Sequence, residues 1–166
     1  MLLARYALAI IDSERICVRR YIQQLRDQLR HSIAAPAQVH ERAERLIAFA
    51  ETRQRVRLDH CLLPALKAAE GGNETVQEME QLAQLGRDML PGVRDCLRYP
   101  DAASLPAFLH AYCANLALRL ECEETRLLPL ACHLLSAEAW FHVGAAFLKQ
   151  DEDAGVSNYG ISAKVH

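Results

Sequence analysis

The stretch Ala117–Trp140, ALRLECEETRLLPLACHLLSAEAW, decides how this chain is read. Its apolar residues fall three and four apart, through Leu116, Leu120, Leu127 and Leu130, which is the spacing of one helix face. Glu121, Glu123 and Glu124 crowd into that row just before Leu127-Leu128-Pro129. A carboxylate on an apolar helix has three physical outlets. It can ligate a metal, pair with a buried guanidinium, or turn out into water.

Working outward, the segments rich in Ala, Leu, Arg, Gln and Glu carry helical periodicity, and no stretch alternates like a strand. A first helix is expected over about residues 4–30. A second begins near Pro36 and runs through RLIAFAETRQRVRLDHCLLPAL to a stop at Gly71-Gly72-Asn73. A third covers about 74–98, with Pro91 expected to bend its last turns. RYPDAAS reads as a loop, with Ser104 as N-cap of the fourth helix and Pro106 in its first turn. A short fifth helix starts at Ser136 and carries Trp140, Phe141 and Phe147, which are read as packing groups. LDHCLLPAL in the second helix echoes EETRLLPLA in the fourth. The fold class read from this pattern is all-α, an up-and-down four-helix bundle with a short C-terminal fifth helix. One domain is expected over residues 1–150, followed by a tail, 151–166, without periodicity.

The bulk composition narrows the function classes. A chain of 166 residues is enough for one cored domain. Its net charge of −2 supplies no basic field, so nucleic acid is not an expected partner. Apolar runs are short and broken by Arg, Glu or Pro, so no membrane span is expected. MLLARYALAIIDSER is read as the first helix rather than a leader, which makes the expected location cytoplasmic. The six cysteines are then expected to be reduced, and none forms a Cys-x-x-Cys pair. Their default role is that of small buried apolar residues.

Stepping along the inward faces locates polar interruptions at one level. Helix one reads Leu8, Ile11, Arg15, Val18, Ile22, Leu25 and Leu29. Helix two reads Ile47, Ala50, Gln54, Leu58 and Cys61, with Arg55 and Asp59 at its edge. Helix three reads Val76, Met79, Leu82, Gly86, Met89, Val93 and Leu97. Helix four reads Leu105, Leu109, Tyr112, Leu116, Arg119 or Leu120, Glu123, Leu127 and Leu130, with Glu124 beside it. Arginine suits a buried carboxylate because its planar fork makes parallel hydrogen bonds. The same spacing equally admits Arg119 and Glu124 on the rim of the stripe, facing water.

YCANLALRLECEETRLLPLACHLLSAEAWFHVGAAF resembles the last helix of bacterial hemerythrin-like proteins, the His-His-Glu cation-binding domains. Tyr112, Glu123, Glu124, Leu127 to Ala131, Leu135-Ser136, Trp140 and Ala146-Phe147 carry that resemblance. Leu62-Leu63-Pro64-Ala65-Leu66 looks like the family's other ligand helix. The resemblance implies a four-helix bundle holding two bridged irons through histidines and two carboxylates. This chain departs from that pattern at the histidine stations, where Arg15, Gln54, Leu82 and Arg119 stand. The carboxylate stations keep Asp59 and Glu124, with Glu123 as an alternative. A guanidinium has no lone pair and repels a cation, so the substitutions imply a lost di-iron site.

The expected polar cluster in its place is Arg15, Gln54, Asp59, Arg119, Glu123 and Glu124, with Arg15 and Arg119 neutralising Asp59 and Glu124. If any metal binds, Asp59, His60, Glu123 and Glu124 are the candidates. His60, like the other histidines, is read as solvent-facing or capping. No nucleophile–base arrangement or phosphate loop is present, so no enzyme is expected and no cofactor. The reading is a binding or regulatory module for a protein or small-molecule ligand. The alternative is a di-iron protein sensing oxygen, nitric oxide or redox state through unusual ligands.

Overall fold

The structure, a computed structural model, describes residues 2–31, 36–69, 73–99 and 103–162. Among them it is all helix, with no strand. Helix α1 is Leu2–Arg30. Helix α2 spans 36–68 as one rod, α3 is Asn73–Arg98, α4 spans 105–134 and α5 is Ala137–Ser162. The expected Gly-Gly stop, residues 100–102 of the RYPDAAS loop and the last four tail residues lie outside the described residues.

Two rods are not regular α-helix. In α2, Phe49–Gln54 and Leu58–Leu62 are π turns, and in α4 Glu123–Leu127 is another. Two of them end two residues before a proline, Pro64 and Pro129. Proline has no N–H to donate, and its ring clashes with the carbonyl four residues back. Those carbonyls belong to His60 and Thr125, each inside a π turn whose wider loop moves it away. The repeated Leu-Leu-Pro therefore has a structural counterpart, a widened turn followed by a proline. Thr52 and Thr125 donate their hydroxyls to the Ala48 and Glu121 carbonyls at the head of two of these turns, at 2.5 and 2.7 Å. Pro91 has no such turn before it, and α3 continues past it to Arg98.

Helix ends partly follow the sequence signals. Pro106 lies in the first turn of α4, but Ser104 makes no capping bond. Its hydroxyl lies 3.4 Å from the Cys96 sulfur instead. Ser136 does cap α5, accepting from the Ala139 N–H at 3.1 Å. That fifth helix is not short, because it runs on through Ser162. Trp140 and Phe147 are buried against the bundle, whereas Phe141 is exposed.

The core divides into two apolar clusters. One gathers Val18, Ile22 and Leu25 of α1 with Leu46, Ala50, Leu90, Val93, Leu109, Tyr112 and Leu116. The other gathers Ala7 and Ile11 with Leu58, Leu62, Leu66, Met79, Leu127, Trp140 and Phe147. The residues between them along α1, α2 and α4 are polar: Glu14, Arg15, Glu51, Gln54, Arg57, Arg119 and Glu123, all buried. Along α3 the same interval holds the small residues Ala83 and Gly86. A polar layer thus crosses the middle of the molecule.

Candidate functional site

The polar layer contains two linked groups. In the first, Glu51 of α2 accepts a hydrogen bond from the Tyr112 hydroxyl at 2.9 Å and from Arg119 Nη1 at 3.3 Å, both on α4. Arg55 Nε lies 2.8 Å from the other Glu51 oxygen as an off-axis ion pair. Beside it, Gln54 Nε2 donates to Glu123 Oε2 at 3.1 Å. Glu123 is 1 % exposed, and its second oxygen is buried without a hydrogen-bond partner among the described residues.

Burial governs how these groups titrate. Loss of water pushes the Glu123 carboxyl up to about 8, against the opposing pull of Arg15 and Arg119 and with a further push from Glu14. It is therefore largely a neutral acid at pH 7. The Tyr112 hydroxyl is raised by burial first and by the Glu51 carboxylate second, so it stays a donor.

The second group joins three helices. Glu14 of α1 accepts from Arg53 Nε and pairs with Arg57 Nη1, both at 2.9 Å. Arg57 also donates to Asp151 on α5, which takes the Tyr6 hydroxyl of α1 as well. The Arg57 guanidinium sits 5.3 Å from the Phe147 ring centroid, a cation–π contact. Burial raises the Glu14 carboxyl, partly offset by Arg57 and Arg53.

Of the six residues expected to cluster, Arg15, Gln54, Arg119 and Glu123 lie in the buried layer. Asp59 and Glu124 do not. Asp59 pairs with Arg55 at 3.1 Å and faces Arg87 at 3.8 Å, on the side where α2 meets α3. Neither Arg15 nor Arg119 is its partner. Glu124 is exposed and binds Arg19, whose hydrogen bond lowers its carboxyl below the ordinary range. Arg15 reaches outward to it at 3.6 Å and also pairs with Asp12. His60 is exposed. The buried carboxylate that balances Arg119 is Glu51, which simple stepping left off the stripe.

Glu14, Glu51, Arg57 and Asn115 are the interior polar residues that sequence spacing missed. Glu51, four residues after Ile47, and Arg57, three after Gln54, were both open to ordinary helical stepping; Glu51 lies in the π turn Phe49–Gln54 and Arg57 just after it. Glu14 lies three residues after Ile11 and was open to the same stepping that selected Arg15. Asn115 donates to the Leu82 carbonyl at 3.1 Å, and its side chain fills the space that Gly86 leaves.

These residues do not suit a dinuclear iron centre. At the stations where the resemblance would put imidazoles stand two guanidiniums, an amide and a leucine, and Arg119 is already committed to Glu51. Among the described residues, no three His, Cys, Asp or Glu side chains group to hold a metal ion. No helix among them is long and apolar enough to cross a membrane. Compared with known proteins, the chain matches no family model, no curated protein and no solved structure.

Proposed function

We propose that this chain is a divergent hemerythrin-like module, with its first four helices in up-and-down order, that works without metal as a binding or regulatory domain. The observation that carries the reading is the closed Glu51–Tyr112–Arg119 group, with Gln54–Glu123 beside it, at the level where the resemblance would put iron ligands. There Arg119 balances the Glu51 carboxylate that a cation would otherwise balance, while Glu123 is held largely as the neutral acid. A buried pair of this kind tolerates loss of neither partner, since the survivor is left charged in a poor solvent.

Two measurements test this. Protein made in iron-rich medium should be colourless, carry no stoichiometric iron and melt at the same temperature with or without chelator. About two irons per chain, with visible absorption, would instead favour the oxygen-, nitric oxide- or redox-sensing alternative. Arg119→Leu should destabilise the fold by about 1–3 kcal/mol, because Glu51 loses its most buried cation while keeping Arg55 and the Tyr112 hydroxyl. Unchanged stability in that variant would remove the charge-substitution idea.

A further inference from the structure

A groove of about 510 Å³ lies where the second half of α2 meets α3, outside the polar layer. Its floor is apolar, from Leu63 and Ala83, and its walls include Asp59, Gln81, Gln84 and Arg87. Asp59 is presented there by the π turn Leu58–Leu62.

The groove is lined by one cation, Arg87, and two carboxylates, Asp59 and Glu80; Glu80 is paired with Lys67 at 2.5 Å, and Arg87 and Asp59 are each held by a third party. Arg87 donates from Nε and Nη2 to the Gln84 side-chain oxygen Oε1, at 3.1 and 2.5 Å. Gln84 is itself fixed, donating from Nε2 to Asp88 at 2.7 Å. Asp59 is fixed by Arg55 Nη1 at 3.1 Å. Between them, Arg87 Nη1 and Asp59 Oδ2 stand 3.8 Å apart, beyond hydrogen-bond reach. A positive and a negative group are thus oriented side by side without satisfying one another. Such a pair matches a small molecule bearing both charges on one carbon: a carboxylate for the guanidinium fork and an ammonium for the carboxylate. Leu63 and Ala83 offer apolar contact to the carbon skeleton, and the Gln81 amide offers a hydrogen bond beyond it.

We infer that this groove binds a free α-amino acid with a hydrogen-bonding side chain, its carboxylate on Arg87 and its ammonium on Asp59. The inference rests on the proposed metal-free reading in one respect, that Asp59 ligates no metal, and iron content and glutamine binding are read separately; Arg55, which holds Asp59, also pairs with Glu51 of the polar layer.

The test is calorimetric titration of the full chain with L-glutamine, paired with amide shifts in nuclear magnetic resonance. The expected result is saturable binding with shifts confined to the π turn around Asp59 and to residues 81–87. The 2-oxo acid of the same skeleton lacks the ammonium, and the α-amide of glutamine lacks the carboxylate. Each should bind about ten-fold more weakly or worse, the loss expected for one charge-assisted contact. Arg87→Gln and Asp59→Asn should weaken glutamine similarly at unchanged helicity. If Asp59→Asn fails to fold, Arg87→Gln, on a half-exposed side chain, carries the test. No saturable binding to the unmodified chain, equal binding of both analogues, or full affinity in Arg87→Gln would overturn the assignment.

Discussion

Glu123 concentrates the physics of the interior into one side chain. Its folded value near 8 lies above that of an ordinary carboxyl, so the folded chain keeps a proton that the unfolded chain gives up. The group's stabilising contribution is therefore complete below the ordinary carboxyl range and is lost as pH rises toward 8. The slope from one such group is at most about 1.4 kcal/mol per pH unit. Glu14, also raised by burial, adds a slope of the same sign. Glu123→Gln keeps the neutral, hydrogen-bonding shape and removes the proton. It should flatten, without abolishing, the decline in stability between about pH 5 and pH 8, as read by chemical denaturation. An unchanged slope would mean that Glu123 is already ionised in the folded chain. Glu124, one residue on, shows how position decides chemistry: exposed to water and bonded by Arg19, it is lowered instead.

Between elements, three glycines face a neighbouring helix where an added β-carbon would collide, and they separate into different cases. A β-carbon on Gly144 would lie 2.6 Å from the Leu3 carbonyl oxygen, which is backbone of α1. Neither helix can yield without sliding, so Gly144→Ala should cost about 1–3 kcal/mol or more. On Gly86 it would meet the Asn115 side-chain oxygen at 2.7 Å, and Asn115 is held by its bond to Leu82. Gly86→Ala should likewise destabilise, through loss of that hydrogen bond. On Gly92 the obstacle is the Phe108 ring, which is partly exposed and free to swing. Gly92→Ala should be neutral or stabilising by up to about 1 kcal/mol, the helix-propensity gain. Thermal denaturation of the three variants orders them, and a destabilised Gly92→Ala would contradict the reasoning. At this scale the π turns matter as much. They let two prolines sit inside long rods, and one of them carries Asp59 on the side where α2 meets α3.

For the whole molecule, α5 is fastened by an apolar face and a polar anchor. Trp140, Val143 and Phe147 are buried among residues of the second cluster. Asp151 then ties α5 to Tyr6 and Arg57, so that α1, α2 and α5 meet in one network. Asp151→Asn should cost about 1–3 kcal/mol, since Arg57 loses a charged acceptor while Glu14 remains. Urea unfolding followed through Trp140 fluorescence reads this loss. A variant as stable as the parent would mean that the apolar face, with the Gln150–Cys61 contact, suffices to fasten α5.

Helix content, the positions of most core leucines, Pro106 in the first turn of α4 and the start of α5 were legible in the chain, because three-and-four spacing and local caps act over a few residues. The presence of a polar level was legible too, from Arg15, Gln54, Arg119 and Glu123 interrupting apolar rows. What no residue count provided was the pairing. Glu51, four residues after Ile47, and Asp59, at the edge of the stripe, are both open to helical stepping, and only the packing of α4 against α2 selects Glu51 as the partner of Arg119. The length of α5 and the Glu14–Arg57–Asp151 connection depended on contacts between residues far apart in sequence. Local spacing determines which faces are apolar; only the packing of rod against rod decides which charges meet.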